Sequence, residues 1–228
     1  EMPTVVLPST STHSRTNTRP SRTPRIAPVA GLFRSPLVIV VNPGFVTATL
    51  ANFVAYAKGN PGKLSMASTG KGTSPHVAGE LFGLLVRTKI ENVVFPSDAD
   101  ALAGLIAGRV HVMFAPIAAV MDQLRSGKLR ALAVTGATRV AALPDTPAVA
   151  ESVPDYEASE WYVFGAPQGT PEALVSRLNN EVNAVLADAK VKARLGELHA
   201  LPLAMSSAEL RKHVSDEAAK WGKAARFA

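Results

Sequence analysis

Short apolar runs alternate with segments of helical periodicity from residue 36 onward, and this alternation restricts the fold more than any other feature of the sequence. The run 37–41 is rich in β-branched residues and ends at the turn sequence 42–44, which predicts a buried strand. Strands that alternate with short helices predict βαβ units around a mainly parallel sheet, and hence an α/β fold. The predicted strands are 37–41, 64–67, 92–95, 110–114, 129–134 and 161–166.

Helix boundaries are predicted from capping residues. Asp98 is a predicted N-cap, and Thr170 is predicted to cap a long helix with Pro171 at its first position. Ser206 and Glu209 have the spacing of a capping box for a last helix. The apolar positions of the long helix are predicted to share one buried face: Leu174, Leu178, Val182, Val185 and Leu186.

The distribution of charge argues against a nucleic-acid-binding protein. The chain has a net charge of +6, and five arginines against one glutamate within residues 1–35 account for most of it. A nucleic-acid surface needs clustered cations on a folded face, usually together with aromatic side chains. The rest of the sequence holds 19 basic and 17 acidic residues, so we expect no nucleic-acid partner.

Two further features of the composition exclude classes of protein. The sequence has no cysteine, which excludes disulfide scaffolds, thiolate metal sites and cysteine nucleophiles. No apolar run approaches the ~20 residues that cross a bilayer, so we expect a chain that does not span a membrane. Residues 8–25 are polar and interrupted by proline, which predicts a loop or a disordered segment.

The loop 68–76 has the most chemical content, because it is rich in glycine and hydroxyl side chains and lies between a predicted strand and a predicted helix. Gly70 and Gly72 permit positive φ. Ser74 is the predicted N-cap, with Pro75 at the first helical position. Unpaired N–H groups and the positive end of the helix dipole hold an anion at such a site. Further candidate contacts are the hydroxyls of Thr69, Thr73 and Ser74 and the imidazole of His76.

Catalytic and nucleotide-binding motifs do not fit this sequence. Lys71 stands between the two glycines rather than after the second, and Pro75 occupies the position of the third glycine of a dinucleotide fingerprint. The five histidines show no ligand spacing, and there is no G-x-S-x-G or H-E-x-x-H motif, so we expect no enzyme, no metal and no cofactor. An enzyme that uses the loop hydroxyls and His76 would need a base that the sequence does not identify. A purely structural strand-to-helix turn stays open as an alternative.

Several segments form an ordered pattern between about residues 26 and 221. They are YAKGNPGKL at 56–64, the loop 68–76, AGELF at 78–82, GKLRALAVT at 127–135, LPDTP at 143–147, WY at 161–162 and APQGTP at 166–171. In this order and at this spacing they closely resemble the solute receptors of tripartite tricarboxylate transporters, which are known as Bug receptors. Together the segments are highly specific.

The resemblance implies a two-lobed, periplasmic-binding-protein-like fold (a type II flytrap) and a periplasmic receptor that delivers a small carboxylate to membrane permease subunits. By this analogy residues 26–41 are a first-lobe strand and crossover, and 42–158 form the second α/β lobe. Residues 159–228 return to the first lobe with the C-terminal helices. Residues 1–25 are expected to be an atypical, disordered leader with a remnant of the first lobe.

The resemblance also implies residues that contact the ligand. The loop 68–76 corresponds to the loop with which the family grips a carboxylate, and Ser159 and Trp161 stand near the cleft. Residues 5–14 resemble a later first-lobe strand with its ligand-facing loop, which makes Thr12 a candidate. The candidate set is therefore Ser68, Thr69, Gly70, Gly72, Thr73, Ser74, His76, Ser159, Trp161 and Thr12.

The sequence departs from the family pattern in three places. Family members begin with a strand and a Pro-Phe…Gly-Gly loop, and this sequence has neither, so we expect an incomplete first lobe that lacks at least one βαβ unit. Residues 95–98 read Phe-Pro-Ser-Asp where the family typically has Pro-Tyr-Lys-Gly. His111 and Ala115 stand where aspartates are common. A changed ligand fits these departures, and so does a truncated receptor fragment that binds nothing.

Overall fold

The computed structural model describes residues 26–227, so the predicted leader 8–25 and the strand expected near residue 5 lie outside the described residues. Within the described part, no helix combines the length and the apolar character needed to cross a membrane. The strands are β1 (Ile26–Val41), β2 (Ser65–Ser68), β3 (Glu91–Val94), β4 (Val112–Pro116), β5 (Arg130–Val134), β6 (Ser159–Pro167) and β7 (Leu201–Pro202). The helices are α1 (Leu50–Gly59), α2 (Ser74–Val86), α3 (Asp98–Ile106), α4 (Ile117–Arg125), α5 (Glu172–Ala187), α6 (Ala189–Glu197) and α7 (Ser207–Phe227).

The longest strand, β1, belongs to two lobes because its two halves pair with different strands. Residues 37–41 pair antiparallel with β4 and β5. Residues 26–36 pair antiparallel with β6, and Phe33 and Arg34 also pair with β7. The chain therefore leaves the first lobe along β1 and returns to it at β6, which confirms the predicted two-lobed α/β architecture.

The sheet of the second lobe has the strand order β3-β2-β4-β1-β5 and is only partly parallel. Strand β2 runs parallel to β3 and to β4, as expected for βα units. Strand β1 runs antiparallel to both of its neighbours, so the prediction of a mainly parallel sheet is wrong for this part. The physical reason is that β1 enters the sheet from the other lobe instead of following one of its crossover helices.

Helices cover both faces of this sheet. On the face of α1 and α2, the ring of Phe82 lies 5.7 Å from that of Phe53 and 5.9 Å from that of Phe114. The buried Tyr156 hydroxyl donates to the carbonyl oxygen of Ala78 at 3.1 Å. On the other face α3 and α4 contribute the apolar cluster Ala101, Leu105, Ile117, Val120 and Met121.

The first lobe has a smaller core. Helix α5 packs Val175 against Val29 and Ala30 of β1. The buried Asn179 amide donates to the carbonyl oxygen of Val29 at 2.8 Å and so joins α5 to the strand. A second small cluster contains Leu186, Leu195 and Ala200.

Two predicted N-caps are wrong by one residue. Ser97, not Asp98, caps α3, and Asp98 is the first helical residue. Pro171 occupies the N-cap position of α5, and the hydroxyl of Thr170 donates instead to the carbonyl oxygen of Pro167 at 2.8 Å. At α3 the neighbouring residues Ser97 and Asp98 have similar N-cap preferences, whereas at α5 the Thr170 hydroxyl is used within the preceding turn.

Helix α7 agrees with the sequence prediction at its capping box, whereas the buried face of α5 differs from the predicted one. The capping box is confirmed, because the Glu209 amide donates to Ser206 Oγ at 3.2 Å and the Ser206 amide to Glu209 Oε2 at 2.8 Å. The predicted apolar face of α5 is wrong at Leu174 and Val185, which are exposed, whereas Val175 is buried. The buried stripe is thus rotated relative to the predicted one.

Helix α6 and the short strand β7 were not predicted. Asp188 ends α5 and caps α6, since its carboxylate accepts from the amides of Lys190 and Val191 at 2.8 and 3.2 Å. The predicted apolar face ended at Leu186, and α6 has a single buried apolar residue, Leu195, so no strong pattern marked this helix.

Thr135 joins the two connections between the lobes. Its Oγ1 accepts from the Leu37 amide at 2.7 Å and lies 3.0 Å from the Leu37 carbonyl oxygen and 2.5 Å from that of Ala158. The Ala158 amide in turn donates to the Thr135 carbonyl oxygen at 2.9 Å. Because Thr135 is fully buried, these bonds fix the spacing between β1 and the chain that leads into β6.

Helix α7 packs against both lobes rather than the first lobe alone, as the C-terminal helices were expected to do. Trp221 and Ala224 belong to the core around α2 in the second lobe. The carboxylate of Glu217 accepts from the indole of Trp221 at 2.8 Å and from the indole of Trp161 in β6 at 3.3 Å. Helix α7 is therefore a third connection between the lobes.

Candidate ligand-binding loop at the start of helix α2

The loop 68–76 lies at an edge of the second-lobe sheet where two helices begin. Parallel strands β2 and β3 end at Ser68 and Val94, and helices α2 and α3 begin shortly after them, at Ser74 and Asp98. Ligands of open α/β sheets bind beyond the carboxyl ends of the parallel strands. The loop therefore has the position of a ligand site.

Ser68 fixes the start of the loop through hydrogen bonds. Its side chain is fully buried, and its Oγ accepts from the Gly70 amide at 3.2 Å. The Phe95 amide donates to the Ser68 carbonyl oxygen at 2.8 Å, which ties the start of the loop to the end of β3. Ser68 shapes the loop, and its contact with a ligand stays a prediction.

Gly72 is required by the backbone conformation. Its φ of +85° is in the left-handed region that favours glycine, whereas a Cβ at this position would meet nothing within 4 Å. Its amide donates to Nδ1 of His76 at 3.1 Å, which folds the loop back onto the first turn of α2. The conformation, not the space, excludes other residues here.

The start of α2 differs from the prediction by one residue. Thr73 is the N-cap and Ser74 is the first helical residue, so Ser74 as N-cap is wrong, and Pro75 occupies the second helical position. The Thr73 hydroxyl donates to the Gly70 carbonyl oxygen at 2.8 Å and makes no capping bond. Among the hydrogen bonds of the described residues, the amides of Ser74 and His76 have no acceptor. These two N–H groups at the positive end of the helix are free to bind an anion.

His76 is a structural member of the loop. It is buried, its Nδ1 accepts from Gly72, and its Nε2 lies 3.4 Å from Oε1 of Glu80. Burial and the nearby Lys71 ammonium lower the pKa of His76, and burial raises the pKa of Glu80. Because desolvation opposes charge on both groups, we assign the contact to a neutral imidazole and not to an ion pair.

Glu160 of β6 is a titratable group that sequence reasoning missed. Burial raises the pKa of its carboxyl, the Ser74 side chain acts on this pKa in the opposite direction, and the Asp98 carboxylate adds to the rise. No local signal could have found it, because Glu160 and Ser74 are far apart in the sequence.

The other residues predicted to contact a ligand have different surroundings. The Trp161 indole is directed to α7, where it donates to Glu217 and its ring centre lies 5.4 Å from that of His213. Ser159 begins β6, and its hydroxyl is buried without a partner among the described residues. Thr69 is half-buried in the loop. Thr12 lies outside the described residues.

His111 has a structural environment. Its Nδ1 lies 3.1 Å from the Ser65 amide and 2.9 Å from the Ser65 hydroxyl, and its ring meets that of Phe45 edge to face at 5.5 Å. The part of the chain that the structure describes contains no group of three histidine or acidic side chains able to hold a metal ion.

Comparison with protein-family models gives one match over nearly the whole chain. The model described as "Tripartite tricarboxylate transporter family receptor" matches residues 3–226. Protein BugT of Bordetella pertussis is 30% identical over 202 residues, which are 88% of this chain and 62% of that protein. The UPF0065 protein in the tcbD-tcbE intergenic region of Pseudomonas sp. (strain P51) is 34% identical and covers 72% of this chain. This chain spans 49% of that second relative and thus only part of the length of both.

Solved structures share the fold. The structure described as R. palustris Rpa4515 with adipate is 33% identical with a TM-score of 0.75, and the match covers 89% of this chain and 68% of that one. MatC (Rpa3494) from Rhodopseudomonas palustris with bound malate is 28% identical with a TM-score of 0.71, and covers 87% and 69%. Both ligands are small carboxylates.

Proposed function

The chain belongs to the tripartite tricarboxylate transporter receptor family, and on this premise we propose that it is a receptor that binds a small carboxylate at the loop 68–76. The protein would bind its ligand without transforming it, since the family is one of receptors. As a receptor of this family the protein would work in the periplasm and deliver its ligand to the membrane permease subunits of a transporter.

The observation that carries the proposal is the pair of free amides at the start of α2. The N–H groups of Ser74 and His76 have no acceptor among the described residues and stand at the positive end of a helix of 13 residues. Such N–H groups together with the helix dipole bind carboxylates. The adipate of the Rpa4515 structure and the malate bound to MatC are carboxylates of this kind.

The residues of the loop divide into two roles. Ser68 and His76 are buried and hold the loop in shape through the amides of Gly70 and Gly72. The backbone of Ser74 would contact the ligand, and the half-buried Thr69 and Thr73 would line its entrance. In this proposal Ser159, Trp161 and Thr12 belong to the facing side of the cleft.

In this proposal the two lobes have the boundaries that the family resemblance implies. Residues 26–41 lead out of the first lobe, 42–158 form the second lobe, and 159–228 return to the first lobe. A ligand held between the lobes would favour the closed arrangement only by binding it better than the open one. The ligand would therefore contact both the loop 68–76 and the start of β6.

A thermal-shift and calorimetric screen of the full chain against mono-, di- and tricarboxylates, amino acids and nicotinate-like acids tests the proposal. A ligand that binds the folded state raises the unfolding temperature in a concentration-dependent way. Gly72→Val strains the loop at φ +85° and should abolish this stabilisation. Gly62→Val is the matched control, because Gly62 has φ +73° and equally open surroundings in the connection between α1 and β2. Equal losses of affinity in both variants would contradict the assignment of the loop.

A receptor fragment that binds nothing is the second candidate. Tyr162 and Phe164 of β6 are 47% and 43% exposed, and exposed apolar surface on a small lobe favours self-association. The same screen separates the candidates: no stabilisation by any acid, together with self-association in size-exclusion chromatography, would support the fragment.

A further inference from the structure

Helix α7 is anchored to a different lobe at each of its ends. The segment before it is held to the first lobe, because the carbonyl oxygen of Met205 accepts from the side-chain amides of Asn179 and Asn183 in α5 at 3.0 and 3.1 Å. Its second half packs Trp221 and Ala224 against the second-lobe core. A continuous helix of 21 residues, about 30 Å long, is a rigid element, so a change in the angle between the lobes must displace α7 relative to one of them.

Glu217 lies at the middle of α7, between these two anchored ends. It is buried, and its carboxylate accepts hydrogen bonds from three side chains. Two of the donors belong to the same helix: Trp221 Nε1 at 2.8 Å and Lys220 Nζ at 2.5 Å. The third is Trp161 Nε1 of β6 at 3.3 Å. Among the described residues this third bond is the one that connects the carboxylate to a part of the chain outside α7.

Lys220 extends the same cluster to the chain that leads into β6. Its Nζ donates to the carbonyl oxygen of Glu157 at 3.2 Å, and the Glu157 carboxylate lies 3.3 Å from the guanidinium of Arg34 in β1. The Lys220 ammonium also lies 4.8 Å from the ring centre of Trp221. Hydrogen bonds in which one partner is charged are stronger than those between neutral groups. Two charged side chains at the middle of α7 therefore hold the segment 157–161, along which the chain returns to the first lobe.

We propose that Glu217 and Lys220 form a latch that holds the segment 157–161 against the middle of α7 and thereby sets the angle between the lobes. Trp161 is a positioning residue in this arrangement, since its indole N–H bonds to the latch. The latch acts in the protein without a ligand, so the inference goes beyond the proposed function and does not depend on it. A latch differs from core packing because its removal widens the range of lobe orientations while each lobe stays folded.

Distances between spin labels on the two lobes test the inference in the full chain without ligand. The sequence has no cysteine, so Ser126→Cys in the second lobe and Ser176→Cys in the first lobe, both at exposed positions, place one nitroxide on each lobe. Trp161→Phe keeps an aromatic ring but removes the N–H that bonds to Glu217. We expect the population at other distances to rise about tenfold relative to the main distance, the scale of one hydrogen bond to a charged group.

Trp221→Phe is the matched control, because it removes the other indole N–H from the same carboxylate within a single helix. It should lower the urea midpoint of unfolding as much as Trp161→Phe does, but leave the distances unchanged. Glu217→Gln weakens all three bonds of the carboxylate and should broaden the distances as well. Unchanged distances in Trp161→Phe and Glu217→Gln, or an equal change in Trp221→Phe, would overturn the inference while the carboxylate receptor stands. Loss of folding in both latch variants would also overturn it, since a latch is not required for the fold.

Discussion

The two lobes differ in how completely their sheets are covered. In the second lobe helices cover both faces, and Phe82 and Phe114 are fully buried. In the first lobe α5 and α6 cover part of the sheet, and Tyr162 and Phe164 of β6 remain 47% and 43% exposed. The difference teaches that the loop 68–76, which connects β2 to α2, takes its shape from the well-packed lobe.

Buried hydrogen bonds hold the connections between the lobes. Thr135 bonds to both crossing segments, and Glu217 accepts from indoles of β6 and α7. Both residues are buried. The arrangement of the two lobes therefore depends on these connections as well as on the cores of the lobes.

The largest expected effect is the loss of an aromatic side chain from the second-lobe core. Phe82→Ala should lower the free energy of unfolding by about 3–5 kcal/mol, because the ring is fully buried among Phe53, Phe114 and Tyr156. Phe164→Ala in the first lobe should change it by less than about 0.5 kcal/mol. Urea unfolding of both variants measures the difference, and equal losses would contradict the contrast between the lobes.

The next effect concerns the connection at Thr135. Thr135→Val keeps the shape but leaves the Leu37 amide and the Ala158 carbonyl oxygen without their hydroxyl partner, which should cost about 2–3 kcal/mol. Thr170→Val is the matched control, since its hydroxyl is bonded at an exposed turn, and should cost less than about 0.5 kcal/mol. Similar unfolding midpoints for the two variants would show that the connection does not stabilise the fold.

A smaller effect is expected where β1 meets the segment after β7. A Cβ at Gly31 would collide with the carbonyl oxygen of Leu203, so Gly31→Ala should cost about 1–2 kcal/mol, within the usual range for overpacking. Gly196→Ala in α6 meets nothing within 4 Å and should stabilise by about 0.5–1 kcal/mol through helix propensity. Thermal unfolding of the two variants measures these stability changes of opposite sign. An unchanged stability of Gly31→Ala would show that the first lobe is not tightly packed at this contact.

The smallest effect is a pH dependence of stability at His76. Burial and Lys71 lower its folded pKa below the ordinary value of 6.5, so the unfolded state binds the proton more readily. The stability from this residue is fully present above pH 6.5 and is lost as the pH falls through the lower, folded pKa. Between about pH 8 and about pH 5.5, the free energy of unfolding should fall more for the wild type than for His76→Gln. An unchanged slope for His76→Gln would refute the assignment.

Much of the second lobe could be predicted because its periodicities are local. The run 37–41 forms only the end of β1, which begins eleven residues earlier at Ile26, whereas the later apolar runs form strands within two residues of their predicted bounds. The direction of β1 in the sheet could not be predicted in the same way, since it depends on which lobe the chain comes from. Helix α6 was missed because few apolar residues mark it and its N-cap, Asp188, also ends α5.

The candidate site shows the same division. Glycines between hydroxyl side chains at a strand-to-helix turn predicted an anion-binding loop, and the local backbone of Gly72 and of Ser74 agrees with that chemistry. The influence of Ser74 on the pKa of Glu160 was not predictable from spacing, because the two residues are 86 positions apart in the sequence. Glu160 lies in β6, which pairs with β1 after the chain leaves the second lobe.

The sequence by itself determined the strand and helix content of the second lobe, the loop 68–76 and the family, since each follows from residue types at fixed spacing along the chain. The tertiary structure alone decided the antiparallel entry of β1, the orientation of Trp161 toward α7 and the hydrogen bonds of Thr135 to both crossing segments. These features depend on contacts between residues far apart in the chain, and local spacing carries no information about them.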